Sequence, residues 1–316
     1  MIIGEIKIAI LFLSTWDNFE HWQQQLLDCE PNLDIRSIKN MGNPDDIDIV
    51  LAWKPPAGIF SQLTNLKFIQ SLGMGVDHLF ECADLPRNIP IARIIDNDMG
   101  MQMSEYVLYG VLHHHRLFGA YKAQQQNSIW KPLSMPKPKG SRIGILGFGV
   151  LGKSVADTLF AQGFPISTWS NSKKNHATYS MYHGMNMLAD FLKNTDILVN
   201  LLPLTSHTRG ILNKSLFEQL PKGAFLINPA RGAHLIEDDL LASLENNQLS
   251  GALLDVYQTE PLTANHLFWK HPKITLTPHI AAVTNPITAS SQIIENYHLI
   301  KAGKQPKNQV EFVREY

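Results

Sequence analysis

The most informative segment of the chain for its fold is Ile143-Gly144-Ile145-Leu146-Gly147-Phe148-Gly149-Val150-Leu151-Gly152. The apolar start is typical of a buried strand, the rest matches Gly-x-Gly-x-x-Gly, and apolar residues then recur at helical spacing. Glycines suit this turn because the backbone must approach a pyrophosphate while the helix N-terminus offers it free N–H groups. The stretch predicts dinucleotide binding, with a merely structural turn as the alternative. The residues assigned to that binding are Gly147, Gly149, Val150, Leu151 and Gly152.

Short apolar runs alternate with helical patterns on both sides of this turn, which indicates parallel α/β sheets. Five strands are predicted before it, at Ile6 to Leu13, Leu33 to Ile38, Ile47 to Ala52, Lys67 to Ser71 and Ile91 to Ile95. Six more begin with the strand that leads into the turn, at Arg142 to Leu146, Pro165 to Trp169, Asp196 to Leu201, Ala224 to Asn228, Gly251 to Val256 and Ile274 to Thr277. The expected fold class is α/β with two doubly wound parallel-sheet domains.

Two predicted helices mark the boundaries between the domains. One is predicted from Ser104 to about Gln126, before a connector broken by Pro132, Pro136, Pro138 and Gly140. The other begins at Pro286 with Thr284 or Asn285 as N-cap, and its apolar face would return to the N-terminal domain. We therefore expect a flavodoxin-like substrate domain of residues 1–103 and 285–316, into which a Rossmann dinucleotide-binding domain of residues 104–284 is inserted.

Composition narrows the class of protein. The chain has 316 residues, and its 27 Lys plus Arg balance 28 Asp plus Glu to a net charge of −1. Such a balance gives no electrostatic support for a nucleic-acid or anionic-membrane partner. No apolar stretch reaches the roughly 20 residues of a membrane helix, and two cysteines make no disulfide framework or metal motif. We expect a cytoplasmic protein that acts on a small molecule and binds no metal.

The turn after the second strand of the nucleotide domain bears on the cofactor. NAD-specific dehydrogenases usually carry an acidic residue there to bind the ribose hydroxyls, and this chain has Ser170 instead. Hydroxyls, an amide and cations follow, and none of them repels a 2′-phosphate. We predict NADPH over NADH, with a solvated lysine-bearing turn as the alternative. The residues assigned to the phosphate are Ser170, Asn171, Ser172 and Lys173.

Three polar residues, Arg231, Glu260 and His279, follow the ends of late strands. The carboxyl ends of parallel strands are where such sheets bind ligands. Each residue alone is more typical of a surface or a cap. Together, downstream of a nucleotide turn, they indicate one site.

With these motifs in place, the chain resembles the D-isomer-specific 2-hydroxyacid dehydrogenase family over nearly its whole length, and most of all its glyoxylate/hydroxypyruvate reductases. The matching segments are 71–77, 130–133, 147–152, 200–203, 228–232, 254–256, 260–262 and 277–282.

The resemblance implies that Arg231, Glu260 and His279 are the catalytic set. Their chemistry fits: His279 can protonate the carbonyl oxygen, Glu260 can orient the ring and favour its charged form, and Arg231 can hold the substrate carboxylate. The resemblance also assigns Pro203, Ala230 and Asp255 to the cofactor, with Asp255 and the Ala230 carbonyl facing the nicotinamide carboxamide.

Substrate binding is the next implication. The resemblance implies that the backbone amides of Met74 and Gly75 also bind the substrate carboxylate. Bulky Trp53 and Trp130 would restrict the pocket to acids such as glyoxylate and hydroxypyruvate. In related reductases a tryptophan of the Trp130 motif reaches the neighbouring subunit, which implies a homodimer, although a plain core or interface tryptophan is an equal alternative.

Other readings of the fold remain open at this point. Formate dehydrogenases carry Gln where this chain has Glu260, which disfavours them. Phosphoglycerate dehydrogenase shares the chemistry, and many versions carry a regulatory domain that this short chain does not show. A nucleotide-sensing corepressor or scaffold is a further alternative, which cofactor binding without turnover would favour.

Overall fold

The structure is a computed structural model that describes residues 8–134, 136–137 and 140–316. The chain divides into two compact units, one made of the described residues up to Asp98 together with Val283–Tyr316, the other of Met99–Ala282. The domain boundaries predicted from the sequence, 103/104 and 284/285, lie five and two residues farther along the chain. The functions assigned to the two units remain predictions.

The first unit is built on a five-stranded parallel sheet with the order β2-β1-β3-β4-β5, which is the flavodoxin-like order. Alternate residues of β1 enter two separate cores, with Ile10 and Phe12 on one face and Leu11 and Leu13 on the other. Burial on both faces is what a parallel sheet covered by helices requires. Its elements are β1 (Ala9–Ser14), α1 (Phe19–Cys29), β2 (Asp34–Ser37), β3 (Ile47–Trp53), β4 (Phe68–Ser71), α2 (Asp77–Phe80), β5 (Ile91–Ala92) and α9 (Pro286–Lys301).

The last helix, α9, belongs to the first unit. Asn285 is its N-cap, with a side chain that accepts the Ile287 N–H. Ile293 and Tyr297 of α9 share a core with Trp22 of α1. The C-terminal helix therefore completes the sheet packing begun by the N-terminal residues.

The second unit is built on a seven-stranded parallel sheet with the order β12-β11-β10-β9-β6-β7-β8. All pairings are parallel, and the order in which successive strands are added reverses at β6, the strand that leads into the glycine turn, as in a Rossmann fold. The remaining elements are α3 (Asn97–His115), α4 (Phe118–Gln126), β6 (Ile143–Leu146), α5 (Val150–Ala161), β7 (Ile166–Ser170), β8 (Ser180–His183), α6 (Leu188–Leu192), β9 (Ile197–Asn200), α7 (Lys214–Phe217), β10 (Ala224–Asn228), α8 (Glu237–Glu245), β11 (Leu249–Leu254) and β12 (Ile274–Leu276). The predicted α/β class with two parallel sheets is confirmed.

Several predicted elements were wrong in detail. The single helix from Ser104 to Gln126 is two helices, because Leu117 takes a left-handed conformation with φ 59° between α3 and α4. Strand β8 was missed because it is a short edge strand without a buried residue. Strand β11 begins two residues before the predicted Gly251. Pro138 of the connector and the first two residues of the predicted strand at Ile6 to Leu13 lie outside the described residues.

Candidate active site

The glycine turn joins β6 to α5, and its three glycines do different things. Gly147 has φ +98°, and a Cβ there would lie 2.6 Å from the Leu201 carbonyl oxygen. A Cβ on Gly152 would lie 2.1 Å from the Gly147 carbonyl oxygen. Gly149, the N-cap of α5, would meet nothing within 4 Å. The protein itself requires the outer glycines, whereas the middle one leaves open space at a helix N-terminus, which fits a bound dinucleotide phosphate.

The turn after β7 carries the predicted phosphate-binding residues. Ser170 is 7% exposed, and its hydroxyl donates to the Ser172 carbonyl, which fixes the turn. Asn171, Ser172 and Lys173 are exposed. Lys174, the second cation of the turn, places its Nζ 2.5 Å from the Phe148 carbonyl oxygen. The positive charge is thereby brought next to the glycine turn.

Arg231 follows the carboxyl end of β10, and its Nη1 donates to the Ala230 carbonyl at 2.7 Å. Asn228, which is fully buried at the end of β10, donates through Nδ2 to the Arg231 carbonyl at 3.2 Å. Backbone and side chain of the arginine segment are thus both fixed by local hydrogen bonds.

A buried polar network behind this segment was not predicted as part of the site. Asn200 donates from Nδ2 to the Asn228 side-chain oxygen at 3.0 Å and to His234 Nδ1 at 2.9 Å. Because Asn200 Nδ2 is the donor, His234 carries its proton on Nε2, which faces the Pro203 carbonyl at 3.3 Å. The network ties the loop after β9 to the loop after β10. Full burial of Asn200, Asn228 and His234 was the missing signal, and burial is not visible in a sequence.

His279 and Glu260 form a hydrogen-bonded pair. His279 Nδ1 lies 2.9 Å from Glu260 Oε2, and the side chains are 21% and 11% exposed. The other carboxylate oxygen, Oε1, accepts the Tyr257 N–H at 3.2 Å. The predicted hydrogen bond between histidine and glutamate is present, and it directs the opposite ring nitrogen, Nε2, away from the carboxylate.

Asp255 is 1% exposed and holds the segment that carries His279. Its carboxylate accepts the Ile280 N–H at 2.9 Å, the Ala281 N–H at 2.8 Å and the Thr277 hydroxyl at 2.6 Å. Its backbone carbonyl accepts the His279 N–H at 2.8 Å. The structure therefore shows a role inside the protein for this residue, and its contact with a cofactor carboxamide stays a prediction.

The predicted substrate residues Trp53, Met74 and Gly75 lie in the first unit. Trp53 ends β3 and packs on Gly73, where a Cβ would lie 2.6 Å from the indole ring. Its ring centroid is 4.3 Å from that of His78. The Gly75 carbonyl accepts the Ser71 hydroxyl at 3.0 Å, and Met74 and Gly75 are half-buried. The tryptophan thus lies against the turn that carries the two backbone amides.

Trp130 lies beyond α4 in the second unit and is 100% exposed. Helix α4 has no buried residue, and Phe118 and Ile129 are also exposed. Within one chain, Trp130 therefore lines no core. We name α4 and residues 127–134 the α4 arm.

The three consecutive histidines of α3 have separate partners. His113 lies near the rings of Tyr109 and Phe118, His114 stacks on Phe225, and His115 Nδ1 contacts the Ser141 hydroxyl at 2.9 Å. Across the described part of the chain, no group of three or more His, Cys, Asp or Glu side chains is arranged to hold a metal ion. Within the same residues, every helix is too short or too polar to cross a bilayer.

Known proteins resemble the chain over nearly its whole length. Glyoxylate/hydroxypyruvate reductase A of Yersinia enterocolitica is 41% identical over 312 residues, which is 97% of this chain and 99% of that protein. The protein of the same name from Serratia proteamaculans is 43% identical over 312 residues, again 97% and 99% of the two chains.

Solved structures agree with these relatives. A D-isomer specific 2-hydroxyacid dehydrogenase from Xanthobacter autotrophicus Py2, in complex with NADPH and MES, is 36% identical with a TM-score of 0.93 and covers 98% of this chain and 100% of its own. The NADPH-dependent glyoxylate/hydroxypyruvate reductase of Sinorhizobium meliloti, in complex with NADP and sulfate, is 32% identical with a TM-score of 0.91 and the same coverage.

The family model described as "D-isomer specific 2-hydroxyacid dehydrogenase, NAD binding domain" matches residues 108–281, which include the glycine turn, Arg231, Glu260 and His279. By this match and by its identity to full-length relatives, the chain belongs to the D-isomer specific 2-hydroxyacid dehydrogenase family.

Proposed function

We propose that this protein reduces small 2-keto acids with NADPH, converting glyoxylate to glycolate and hydroxypyruvate to D-glycerate. The observation that carries the proposal is the His279–Glu260 pair, held at 2.9 Å in the unit that contains the glycine turn. The relatives named glyoxylate/hydroxypyruvate reductase A and the structures solved with NADPH or NADP support this substrate class and cofactor.

The cofactor would be held by residues of the second unit. Gly149 leaves room for the pyrophosphate at the N-terminus of α5, and Ser170 to Lys173, with Lys174 beside them, supply hydroxyls, an amide and positive charge for a 2′-phosphate. When bound, NADPH supplies a hydride to the carbonyl carbon of the substrate. We also assign Pro203, Ala230 and Asp255 to this cofactor.

His279 supplies the proton in the proposed reaction. Its Nδ1 is hydrogen-bonded to Glu260, so we assign the acid function to Nε2, which passes its proton to the carbonyl oxygen as that oxygen becomes a hydroxyl. The Glu260 carboxylate accepts the hydrogen bond from Nδ1 and fixes the plane of the ring.

Arg231 binds the substrate carboxylate in this proposal. The bond from its Nη1 to Ala230 sets the direction of the planar guanidinium, whose donor fork matches a carboxylate. We assign the backbone amides of Met74 and Gly75, in the first unit, to substrate binding. We assign restriction of substrate size to Trp53 and Trp130.

We further propose that the protein is a homodimer. A fully exposed tryptophan and two exposed apolar side chains on the α4 arm make an apolar surface that a second copy of the chain would cover. A cytoplasmic location fits the two free thiols, Cys29 and Cys82. The near-zero net charge fits a protein without a nucleic-acid or membrane partner.

Initial rates test the proposed function. The purified protein is assayed with glyoxylate, hydroxypyruvate, pyruvate and phosphohydroxypyruvate, each with NADPH and with NADH. We expect the highest kcat/KM with NADPH and glyoxylate or hydroxypyruvate. Fastest turnover of phosphohydroxypyruvate would assign the protein to phosphoglycerate oxidoreduction instead. NADPH binding without reduction of any of the four acids would favour a sensing or scaffold role.

A further inference from the structure

A line of hydroxyl groups leads from helix α3 to the segment that carries His279. The Tyr106 hydroxyl oxygen lies 2.7 Å from Thr277 Oγ1, and Thr277 Oγ1 lies 2.6 Å from Asp255 Oδ1. All three residues belong to the second unit. Neither Tyr106 nor Thr277 is needed for the proposed chemistry described above.

The chemistry of the groups fixes the direction of each hydrogen bond. An ionised carboxylate can only accept, so the single hydroxyl proton of Thr277 is donated to Asp255. Thr277 Oγ1 then has only lone pairs to offer Tyr106, so the phenol donates. Burial raises the pKa of Tyr106 well above its ordinary value, which keeps the phenol protonated and able to donate.

The end of this line of hydrogen bonds is the backbone around the proposed acid. His279 has φ +58°, a left-handed conformation that is uncommon for a residue with a side chain and persists only where the surroundings enforce it. The Asp255 carboxylate enforces it by accepting the N–H groups of Ile280 and Ala281. Thr277 Oγ1 is the side-chain donor shown on that same carboxylate.

We infer that Thr277 and Tyr106 are positioning residues for His279, acting through the Asp255 carboxylate. The hydroxyl of Thr277 holds Oδ1 where the two backbone N–H groups can reach the carboxylate, and Tyr106 holds the hydroxyl of Thr277. The backbone turn at His279 then presents the imidazole in one orientation. The inference rests on the proposed function, in which His279 is the proton donor.

Four variants test whether Thr277 and Tyr106 position His279. Thr277→Val removes the hydroxyl at nearly constant volume, and Thr277→Ser keeps it. Tyr106→Phe removes only the phenol oxygen. Tyr109→Phe is the matched control, because Tyr109 lies on the same helix but is 51% exposed.

The expected losses follow from leaving hydrogen-bonding groups unsatisfied. Thr277→Val should lower kcat by about 10- to 100-fold and Tyr106→Phe by about 3- to 10-fold. Thr277→Ser and Tyr109→Phe should remain within about 2-fold of the wild type in kcat. The KM for the keto acid should stay nearly constant, since Arg231 binds it.

The decisive comparison repeats Thr277→Val in a His279→Ala background. If the threonine acts through the histidine, its effect on kcat disappears once the imidazole is gone, whereas a general structural defect would multiply with the loss of the histidine. An equal loss in both backgrounds overturns the inference. Wild-type kcat in Thr277→Val, or equal kcat for Tyr106→Phe and Tyr109→Phe, overturns it as well.

Amide hydrogen exchange separates this inference from the proposed function. The amides of Ile280 and Ala281 should exchange faster in Thr277→Val and Tyr106→Phe than in the wild type, and at the wild-type rate in Thr277→Ser and Tyr109→Phe. If the wild type reduces no keto acid, the proposed function fails while the exchange rates still decide whether the hydroxyls hold the segment. If the amides of Ile280 and Ala281 exchange at the wild-type rate in Thr277→Val, the positioning role is contradicted whatever the activity.

Discussion

At the scale of single residues, the site depends on which atom of each polar group is already occupied. His279 meets Glu260 through Nδ1, so the proposed proton transfer belongs to Nε2. His234 accepts through Nδ1 from Asn200, so its proton is on Nε2. The two histidines thus have different tasks: one is proposed to move a proton, and the other links two loops through both of its ring nitrogens.

The cofactor preference can be tested at Lys173. This exposed lysine is assigned to the 2′-phosphate, so Lys173→Glu replaces attraction by repulsion without disturbing a buried group. We expect the KM for NADPH to rise by about 10-fold or more while the KM for NADH stays within about 2-fold, as measured by steady-state kinetics. Lys222→Glu, a charge reversal at another exposed lysine, is the control. An unchanged ratio of kcat/KM for the two cofactors would contradict the assignment of this turn to the phosphate.

At the scale of elements, the strand–turn–helix at residues 143–161 separates folding from binding. Gly152 is excluded from carrying a side chain by the Gly147 carbonyl, whereas Gly149 faces open space. The same motif therefore contains two positions required by the protein itself, Gly147 and Gly152, and one open position, Gly149, where the cofactor is proposed to bind.

Two alanine substitutions should show this separation. Gly152→Ala forces a Cβ to within 2.1 Å of a backbone oxygen, so we expect a lower Tm in the absence of cofactor. Gly149→Ala meets nothing and should keep the wild-type Tm, yet weaken NADPH binding by filling the space for the pyrophosphate. Thermal denaturation and fluorescence titration with NADPH measure the two effects. Equal NADPH affinity of Gly149→Ala and the wild type would speak against the proposed cofactor site.

Helix α3 should make stability depend on pH. Burial, followed by repulsion from His113 and His115, lowers the pKa of His114 to about 4, and its ring stacks on Phe225 of β10 at 4.7 Å. In the unfolded chain the same imidazole titrates near 6.5. Between these two values the unfolded state binds a proton that the folded state does not, so the free energy of unfolding falls as the pH drops from about 6.5 to about 4.

His114→Leu should reduce this dependence on pH. Urea unfolding at pH 7 and pH 5 measures the difference in free energy of unfolding, and we expect a smaller difference in the variant than in the wild type. His21→Gln, at an exposed position of α1, serves as the control. If the difference in free energy of unfolding between pH 7 and pH 5 is the same in His114→Leu and the wild type, His114 does not cause the loss of stability at low pH.

At the scale of the whole molecule, the α4 arm is the feature that one chain leaves unexplained. Trp130 is completely exposed, and α4 buries none of its residues. A second copy of the chain would bury these apolar side chains.

Trp130→Ala should shift the proposed homodimer towards the monomer. Large aromatic residues at the centre of an interface commonly cost 2 kcal/mol or more when truncated, which is about 30-fold in the dissociation constant. Sedimentation velocity over a range of protein concentrations measures the shift. Trp269→Ala removes a half-exposed tryptophan outside the α4 arm and should leave the oligomer unchanged. A wild-type protein that sediments as a monomer at all concentrations would contradict the homodimer.

Most features of the fold that were predicted correctly depend on local sequence patterns. The glycine turn, the apolar strands and the N-cap at Asn285 are each decided by neighbours within a few residues, so they could be identified from the chain alone. The break at Leu117 falls on a leucine, two residues before Gly119 of α4, and β8 has no apolar run. Neither local pattern predicts the element that the structure shows.

The amino-acid pattern was enough to predict the parallel α/β class, the glycine turn and the residue types at the strand ends, because helical and strand periodicities and turn chemistry act over short separations. How those residues are held depends on contacts between distant parts of the chain. Thr277 and Tyr106 are 171 positions apart in the chain, and Asp255 and Thr277 are 22 apart. Such side chains meet because α3 packs Val107 and Val111 against the same core as Ile227 and Leu253 of the sheet. Hydrogen bonds need atoms within about 3 Å, and only the packed core brings groups so distant in sequence to that range.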